Sequence, residues 1–353
     1  MYTNAKFVGS RIISVLFFVA ALLGWGLNSG LAATQSDIAF NSDDPIRYVI
    51  TGGSATGYFQ SVFEAINSVV RNRYPGSTVN IRPGSPAGSL LEIANGKADF
   101  AGATGSVEVI HALDAKPPFK ESLDGEIFQV MTIHNGLIPH YLMSRDWADE
   151  HGIRSFQDIA DKKPPMNIAV NFRANLQSTL GMYANLFEQY GFTLEDVESW
   201  GGNVLRGNAA LGLDAMADGR ADVFINGGFL PSARVKKLAR TREILWIDAD
   251  EEHLRKAAHS VNYTTGSIPE GTYDFIDKEV PIQKMWNGVQ AGPHVSEETV
   301  YKFLNAVYEQ QNMIRSVHSS LREFGPEMMI WNPAGLPFHP GAERFYREKG
   351  LIE

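Results

Sequence analysis

The segment Ala94-Asn-Gly-Lys-Ala-Asp-Phe100 has a near copy later in the chain, Ala217-Asp-Gly-Arg-Ala-Asp-Val223. In both copies a glycine follows apolar residues at helical spacing, and a short run typical of a β-strand comes next. Because glycine caps are common, two independent turns of the same kind are one explanation. Both copies, however, stand at the same point of the same order of elements, and we interpret them as parts of two similar α/β lobes.

The first copy belongs to a run that alternates between strand and helix. A short strand is predicted at Arg47–Thr51, and a helix follows, because apolar residues recur from Phe59 to Val70 at spacings of three and four. A second strand at Thr78–Arg82, a short helix at Leu90–Ala94 and a third strand at Ala98–Gly102 complete the run. The order β-α-β-α-β predicts a parallel sheet with helices on its faces.

The second copy lies in a similar run. Strands are predicted at Met166–Val170 and Ala221–Asn226, with helices at Leu180–Tyr190 and Leu211–Ala217 between them. The predicted fold class is therefore α/β, in two lobes with a ligand cleft between them. Ligands of open parallel sheets bind beyond the carboxyl ends of the strands, so the loops at those ends are the candidate site.

Five such loops are rich in small polar residues. The turn Gly52–Gly57 has the spacing of a phosphate-binding loop, but Tyr58 stands where that motif needs a lysine, so the motif fails. Its free N–H groups, which precede a helix, still suit an anion. The candidate ligand-binding residues are Gly53, Ser54, Thr56, Gly57, Tyr58, Ser85, Thr104 and Ser106 in the first lobe, and Arg173, Asn175, Ser178, Gly227 and Gly228 in the second.

Arg173 is the sharpest of these candidates. It follows a predicted strand, and the other candidate loops offer only neutral donors. A guanidinium holds a carboxylate through two parallel hydrogen bonds, which predicts that Arg173 binds an acidic ligand. A solvated loop arginine is the alternative interpretation.

The sequence lacks the common catalytic and metal-binding motifs. It contains neither G-x-S-x-G nor H-E-x-x-H, and His253 and His259 flank a charged helix where solvated histidines are expected. We therefore expect no catalytic residues, no metal site and no cofactor, and we do not expect an enzyme.

The amino terminus predicts export. Lys6 and Arg11 precede the apolar run Ile12–Leu23, and small residues lead to Ala32 and Ala33. A basic start, a short apolar run and small residues before a cleavage site are typical of a secretory signal peptide, here residues 1–33. An uncleaved membrane anchor is the alternative, although the run is short for a membrane span of about 20 residues.

Composition indicates the cellular compartment and argues against some classes of partner. The chain has no cysteine, which excludes disulfides and a lipid-modified amino-terminal cysteine. A diffusible receptor is useful only in an enclosed space, so the periplasm is predicted. The net charge of −9 becomes −11 when Lys6 and Arg11 leave with the signal peptide. This acidic balance argues against nucleic acid and anionic lipid surfaces as partners.

Three segments carry a family resemblance. Thr51-Gly-Gly-Ser-Ala-Thr-Gly-Tyr58, Ile268-Pro-Glu-Gly-Thr-Tyr273 and Leu336-Pro-Phe-His-Pro-Gly-Ala-Glu-Arg-Phe-Tyr-Arg-Glu-Lys-Gly350 are similar to motifs of the TAXI receptors, which are the solute-binding subunits of TRAP transporters. Residues 171–179 differ from the family's glycine-rich second-lobe loop, so the pocket is expected to have another shape.

The resemblance implies a type II periplasmic binding-protein fold, with chain crossings near Ile133–Leu142 and Met285–Ala291. It also implies a small carboxylate or dicarboxylate ligand and a membrane permease driven by an ion gradient. Delivery to a sensor or to another importer is an alternative, and a secreted hydrolase using a residue such as Ser54 is a remote one. The implied domains are a flexible leader (34–45), the first part of lobe 1 (46–137), lobe 2 (138–284), and a return to lobe 1 with the C-terminal helices (285–353).

Overall fold

A computed structural model of the chain describes residues 40, 42–53, 55, 58–171 and 177–353, with the side chains of 171 and 177–182 left aside. The predicted signal peptide and most of the predicted leader lie outside the described residues. Among the residues that are described, no helix is long and apolar enough to span a membrane.

The described residues form ten strands and fourteen α-helices. The strands are β1 (Arg47–Thr51), β2 (Thr78–Arg82), β3 (Phe100–Gly105), β4 (Phe128–Ser144), β5 (Asn167–Asn171), β6 (Asn203–Gly207), β7 (Val223–Gly228), β8 (Ile244–Trp246), β9 (Thr264–Ile268) and β10 (Val280–Ala291). The helices are α1 (Tyr58–Arg73), α2 (Pro86–Ala94), α3 (Ser106–Leu113), α4 (Arg145–His151), α5 (Phe156–Lys162), α6 (Gln177–Gln189), α7 (Leu194–Ser199), α8 (Ala209–Ala217), α9 (Ala233–Ala239), α10 (Glu251–His259), α11 (Glu297–Glu309), α12 (Gln311–Val317), α13 (Pro326–Ile330) and α14 (Pro340–Glu348), with a 3-10 turn at Ser319–Leu321.

The strand order follows the same pattern from either end of the sheet: the second, the first and the third strand of a parallel trio, and then one long strand. It runs β2-β1-β3-β10-β4-β7-β5-β6, with β8 added to β4 and β9 added to β10. β1 pairs in parallel with β2 and β3, and β5 pairs in parallel with β6 and β7. Each parallel trio is flanked by one long antiparallel strand: β10 pairs with β3, and β4 pairs with β7. The predicted two-lobed α/β fold class is confirmed.

Two long strands carry the chain from one half to the other. β4 pairs with β10 as far as Leu137 and with β7 from Ile138 onward. β10 pairs with β9 from Val280 to Lys284 and with β3 from Asn287 onward. These changes of partner fall inside the two segments expected to cross between the lobes.

Each half has its own apolar core. One core consists of Val107 and residues between 138 and 285, and another of residues between 46 and 133 and between 289 and 346. A smaller core covers the α2 and α3 face of the first half and includes Trp286. Val107, which lies on α3 of the first half, packs into the core of the second half and joins the two.

Three of the predicted loops are shorter than expected. α2 begins at Pro86 rather than Leu90, because Ser85 caps it and proline suits the first helical position. β3 continues through Thr104 and ends at Gly105, where the prediction ended it at Gly102. β7 extends to Gly228 instead of ending at Asn226. Both strands run on because their last residues pair with the long strands β10 and β4.

Candidate functional site

The ends of β1, β2 and β3 meet closely. Gly52 has a φ of +139°, and a Cβ atom there would lie 2.0 Å from the carbonyl oxygen of Gly102. Only glycine allows this approach. The backbone N–H of Gly84 donates to the carbonyl of Gly53 at 2.9 Å. The turn that opens the family-like first motif is therefore held against both neighbouring strands.

The predicted first-lobe residues separate into different roles. The Ser85 hydroxyl accepts from the N–H of Gly88 at 3.2 Å and caps α2, so it is used inside the protein. Thr104 is fully buried within β3, where its hydroxyl bonds to the side chain of Gln290. Ser106 is the first residue of α3, and its buried hydroxyl has no partner among the described residues. Ser54, Thr56 and Gly57 lie outside the described residues.

In the second lobe, Gly227 and Gly228 are the last residues of β7 and pair with Pro139 and Ile138 of β4. A Cβ atom on Gly228 would lie 3.0 Å from the imidazole of His140, so the strand passes very close to this ring. Among the other predicted residues, Arg173 and Asn175 lie outside the described residues, as does the side chain of Ser178.

Aromatic rings from both halves meet where the long strands cross. We call Tyr58, Phe59, His134, Phe229 and His318 the junction cluster. Tyr58 begins α1, and its ring centroid lies 4.6 Å from that of Phe229, which directly follows β7. His134 of β4 lies 5.0 Å from Phe229 and stacks on Phe59 at 5.8 Å. The cluster thus joins α1 of the first half to the end of β7 in the second.

Tyr58 is held at both ends. Its ring packs in the junction cluster, and its hydroxyl receives a hydrogen bond from the Ser320 hydroxyl at 3.0 Å. Burial raises the pKa of Tyr58 to about 12, so it remains a neutral phenol at physiological pH. Among the predicted first-lobe residues that the structure describes, Tyr58 has a side chain that reaches the second half, at Phe229.

Three paired residues, Gly105, Asn287 and His134, form a row across the sheet, and the last of them also belongs to the junction cluster. Asn287 of β10 pairs with Gly105 on one side and with His134 on the other. Directly paired residues project to the same face of a sheet, so the side chains of Asn287 and His134 are neighbours. Asn287 donates from its amide to the Ala103 carbonyl at 3.3 Å, but its Oδ1 atom has no partner among the described residues.

His134 is the most unusual member of the row. It is almost fully buried, and neither ring nitrogen has a hydrogen-bond partner within the described part of the chain. Burial, and then the nearby His318, lower its pKa to about 3. The ring is therefore neutral, with one nitrogen able to donate and the other able to accept. A buried polar group left without a partner costs about 1–3 kcal/mol, so these atoms favour a bound polar molecule.

Sequence reasoning missed His134, Asn287, Phe229 and His318. A signal was present for one of them: His134 follows Val130-Met-Thr-Ile133, a short, mostly apolar run typical of a strand. Buried histidines are often satisfied within the core, and only the three-dimensional arrangement reveals that this one has no partner among the residues described. Asn287 gave no such signal.

The other two family-like motifs have structural roles. In the segment 268–273, the Tyr273 hydroxyl accepts from the N–H of Ser232 at 2.7 Å and contacts Nε2 of His140 at 2.8 Å, which holds the loop after β7. In the segment 336–350, His339 caps α14 through the N–H of Gly341 and bonds to the Val295 carbonyl at 3.1 Å. Burial lowers the pKa of His140 and of His339 to about 4.

Within the described ranges, no group of three or more His, Asp or Glu side chains is placed to hold a metal ion. The histidines of the junction cluster lie among aromatic rings instead. The arrangement suits the binding of a polar molecule by hydrogen bonds and ring contacts.

Comparison with known proteins gives a family match. The model of the NMT1-like family matches residues 50–350, which is most of the chain. No curated protein matches the chain.

Several solved structures are similar to the chain at low sequence identity. A binding-protein component of a phosphonate ABC transporter from Pseudomonas aeruginosa is 14% identical, over 79% of each chain, with a TM-score of 0.45. Iron-bound HitA from Pseudomonas aeruginosa is 14% identical over 88% of this chain and 100% of its own, with a TM-score of 0.46. The alkanesulfonate-binding protein SsuA from Xanthomonas axonopodis pv. citri is 12% identical over 86% of this chain and 84% of its own, with a TM-score of 0.41. None of their ligands is carried over to this chain.

Proposed function

The chain belongs to the NMT1-like family, which is of the periplasmic binding-protein type, and from this premise we propose that it is a solute receptor of the TAXI kind. It binds a small carboxylate between its lobes and delivers it to a TRAP-type membrane permease. It works in the periplasm after loss of its signal peptide, without a cofactor and without catalysis.

The observation that carries this proposal is the set of partnerless polar atoms at the lobe junction. Ser106, His134 and Asn287 each bring a buried hydrogen-bonding atom without a partner among the described residues. His134 and Asn287 come from the adjacent strands β4 and β10, which cross between the halves, and Ser106 begins α3 directly after β3, the other neighbour of β10. A solute that bonds to them would offset the cost of their burial, and closure of the lobes on a hinge would enclose it.

Arg173 remains the proposed partner of the ligand's carboxylate. Its position after β5 corresponds to the carboxyl end of a parallel strand, where ligands of such sheets bind. Ser54, Thr56, Gly57, Asn175 and Ser178 remain proposed hydrogen-bond donors from the same loops. Together they would supply the charge and the donors that the neutral junction lacks.

Two other functions are alternatives to this proposal, and each has its own test. A receptor of the same kind could serve a sensor or another importer, and a permease gene beside this one would favour transport. A secreted hydrolase would have to turn over esters or peptides, and assays for these activities test it directly.

The test begins with native mass spectrometry of the protein purified from periplasm, in search of a co-purified small carboxylate. Isothermal titration with that molecule should then give saturable binding, which Arg173→Ala weakens at least tenfold because charged hydrogen bonds contribute about 1.5–3 kcal/mol. Arg173→Lys should restore only part of the affinity, since lysine lacks the planar fork. Arg240→Ala, which removes an exposed arginine after α9, is the matched control.

Bound solute at 100 times its dissociation constant should add about 2.7 kcal/mol to the free energy of unfolding. Failure of every carboxylate to bind would refute the proposed ligand class. Wild-type affinity in Arg173→Ala would remove only Arg173 from the site.

A further inference from the structure

A separate cavity of about 250 Å³ lies beside the crossing of the two long strands. Its wall includes Gly136 of β4, Ser267 of β9, Lys284 of β10 and, from the first half, Ser319 and Arg322. Phe229 of the junction cluster also lines it, but Ser106, His134 and Asn287 do not, so the cavity adjoins the candidate site without containing its partnerless polar atoms.

Positive charge dominates the wall of this cavity. Lys284 and Arg322 line it, and among the described residues of the wall Glu323 alone is acidic. Neither Lys284 nor Arg322 has an ion-pair or side-chain hydrogen-bond partner in the described part of the chain.

Lys284 is positioned by a glycine. A Cβ atom on Gly266, which is paired across the ladder with Ile282, would lie only 2.7 Å from Cδ of Lys284. The missing side chain at Gly266 therefore leaves room for the lysine stem to lie across β9. Lys284 is only half-buried, which leaves its ammonium group access to the cavity.

Arg322 is positioned by the short 3-10 turn that precedes it. Leu321 in this turn is fully buried in the core of the first half. The Ser320 N–H donates to Nδ1 of His318 at 3.1 Å, and the Ser320 hydroxyl reaches Tyr58. The turn is thus anchored to the junction cluster, and it places the exposed Arg322 in the wall of the cavity.

We propose that this cavity binds a small oxyanion, such as a carboxylate, phosphate or sulfate, between the guanidinium of Arg322 and the ammonium of Lys284. The guanidinium presents two parallel N–H donors and the ammonium a compact charge, and both suit an oxyanion. The hydroxyls of Ser267 and Ser319 are further donors in the wall. Because Lys284 lies in the part of β10 that pairs with β9, whereas Arg322 follows a turn packed in the core of the first half, a bound anion would link the two halves.

This inference does not depend on which solute the receptor carries. The test is isothermal titration of the full mature chain with inorganic phosphate, sulfate and succinate, repeated in Arg173→Ala, which should weaken binding at the proposed solute site and leave binding in this cavity unchanged. Lys284→Met keeps the aliphatic stem over Gly266 and removes the charge. Arg322→Gln removes the second charge, and Lys236→Met on α9 is a matched exposed control.

We expect each of Lys284→Met and Arg322→Gln to weaken binding of at least one anion tenfold or more. Glu323→Gln should tighten binding severalfold, because it removes a negative charge from the wall. The Lys236→Met control should bind as the wild type does. Unchanged affinity in both charge variants would overturn the proposal, and so would the absence of saturable binding of all three anions to the wild type.

Discussion

The two copies of the helix-to-strand turn have the same backbone role in the two halves. Each begins where a helix ends, α2 at Ala94 and α8 at Ala217, and each places a glycine at positive φ, Gly96 at +66° and Gly219 at +71°. Each then enters the third strand of its parallel trio. The near repeat in letters is therefore a repeat in conformation.

The aspartate of each copy also does the same work. Oδ2 of Asp99 accepts from the N–H of Val49 at 2.7 Å, and Oδ2 of Asp222 accepts from the N–H of Asn167 at 2.8 Å. The carbonyl of Asp99 accepts from Gly292, just past β10, and that of Asp222 accepts from Ser144, at the end of β4. Each turn thus joins the first strand of its trio to the end of a long strand.

The two halves differ two residues further along the third strand. Gly102 of β3 corresponds to Ile225 of β7, and both positions are buried. In the first half the space above the strand is filled by Phe63 of α1, since a Cβ atom on Gly102 would lie 2.2 Å from the ring. In the second half the strand residue fills the space itself. The same backbone plan is therefore packed in two complementary ways.

The largest expected effect comes from disturbing this pair. Ile225→Ala removes a buried branched side chain and should lower the free energy of unfolding by about 2–5 kcal/mol. Gly102→Ala forces a methyl group against Phe63 and should lower it by about 1–3 kcal/mol. Urea unfolding of both variants measures the difference. If Gly102→Ala is as stable as the wild type, the Phe63 ring moves freely away from the added methyl group. The conclusion that Phe63 tightly fills the space above β3 would then be wrong.

Local patterns explain which elements could be predicted. β1 and β2 were predicted with their observed bounds, because each is a short segment rich in β-branched residues that lies between turn residues. The extensions of β3 through Thr104 and of β7 through Gly228 depend on pairing with β10 and β4, which are distant in sequence. Propensity does not report such partners.

The candidate site was predictable only at its strand ends. Tyr58 was predicted from its place after the glycine-rich turn, and it does reach the lobe junction. His134 and Asn287 lie inside long strands, but each stands at an Asn-Gly pair, Asn135-Gly136 or Asn287-Gly288, which predicts a turn rather than the interior of a strand. Their significance depends on polar atoms left without partners, and the sequence contains no information on partners across the sheet.

One buried histidine in each half should make the free energy of unfolding depend on pH. His140 and His339 have pKa values near 4, lowered by burial, whereas an unfolded histidine titrates near 6.5. As the pH falls from about 6.5 to about 4, the unfolded state takes up a proton that the folded state refuses. Each residue should then lower the free energy of unfolding by up to about 1.4 kcal/mol per pH unit.

Urea unfolding between pH 4.5 and 7 tests this against two variants. His339→Asn keeps an oxygen that caps α14 and removes the titration, so its stability should fall less steeply with acid than that of the wild type. His140→Gln should flatten the slope to a similar degree. A slope identical to that of the wild type in both variants would contradict the assignment of neutral, buried histidines.

The smallest expected effect separates the two aspartates. Both hydrogen bonds to Asp222, from the N–H and from the side-chain amide of Asn167, reach the same oxygen, Oδ2. Asp99 uses both oxygens, since Oδ1 lies 3.4 Å from Nε2 of His294. Asparagine offers one acceptor oxygen, so Asp222→Asn can keep both bonds, whereas Asp99→Asn must turn its NH₂ group toward Val49 or His294.

We expect the free energy of unfolding to fall by up to about 0.5 kcal/mol in Asp222→Asn and by about 1 kcal/mol in Asp99→Asn. Removing the competing partner with His294→Ala should bring the two losses together when the variants are compared by urea unfolding in that background. A gap that persists without His294 would mean that the two turns differ in more than the partners of their aspartates.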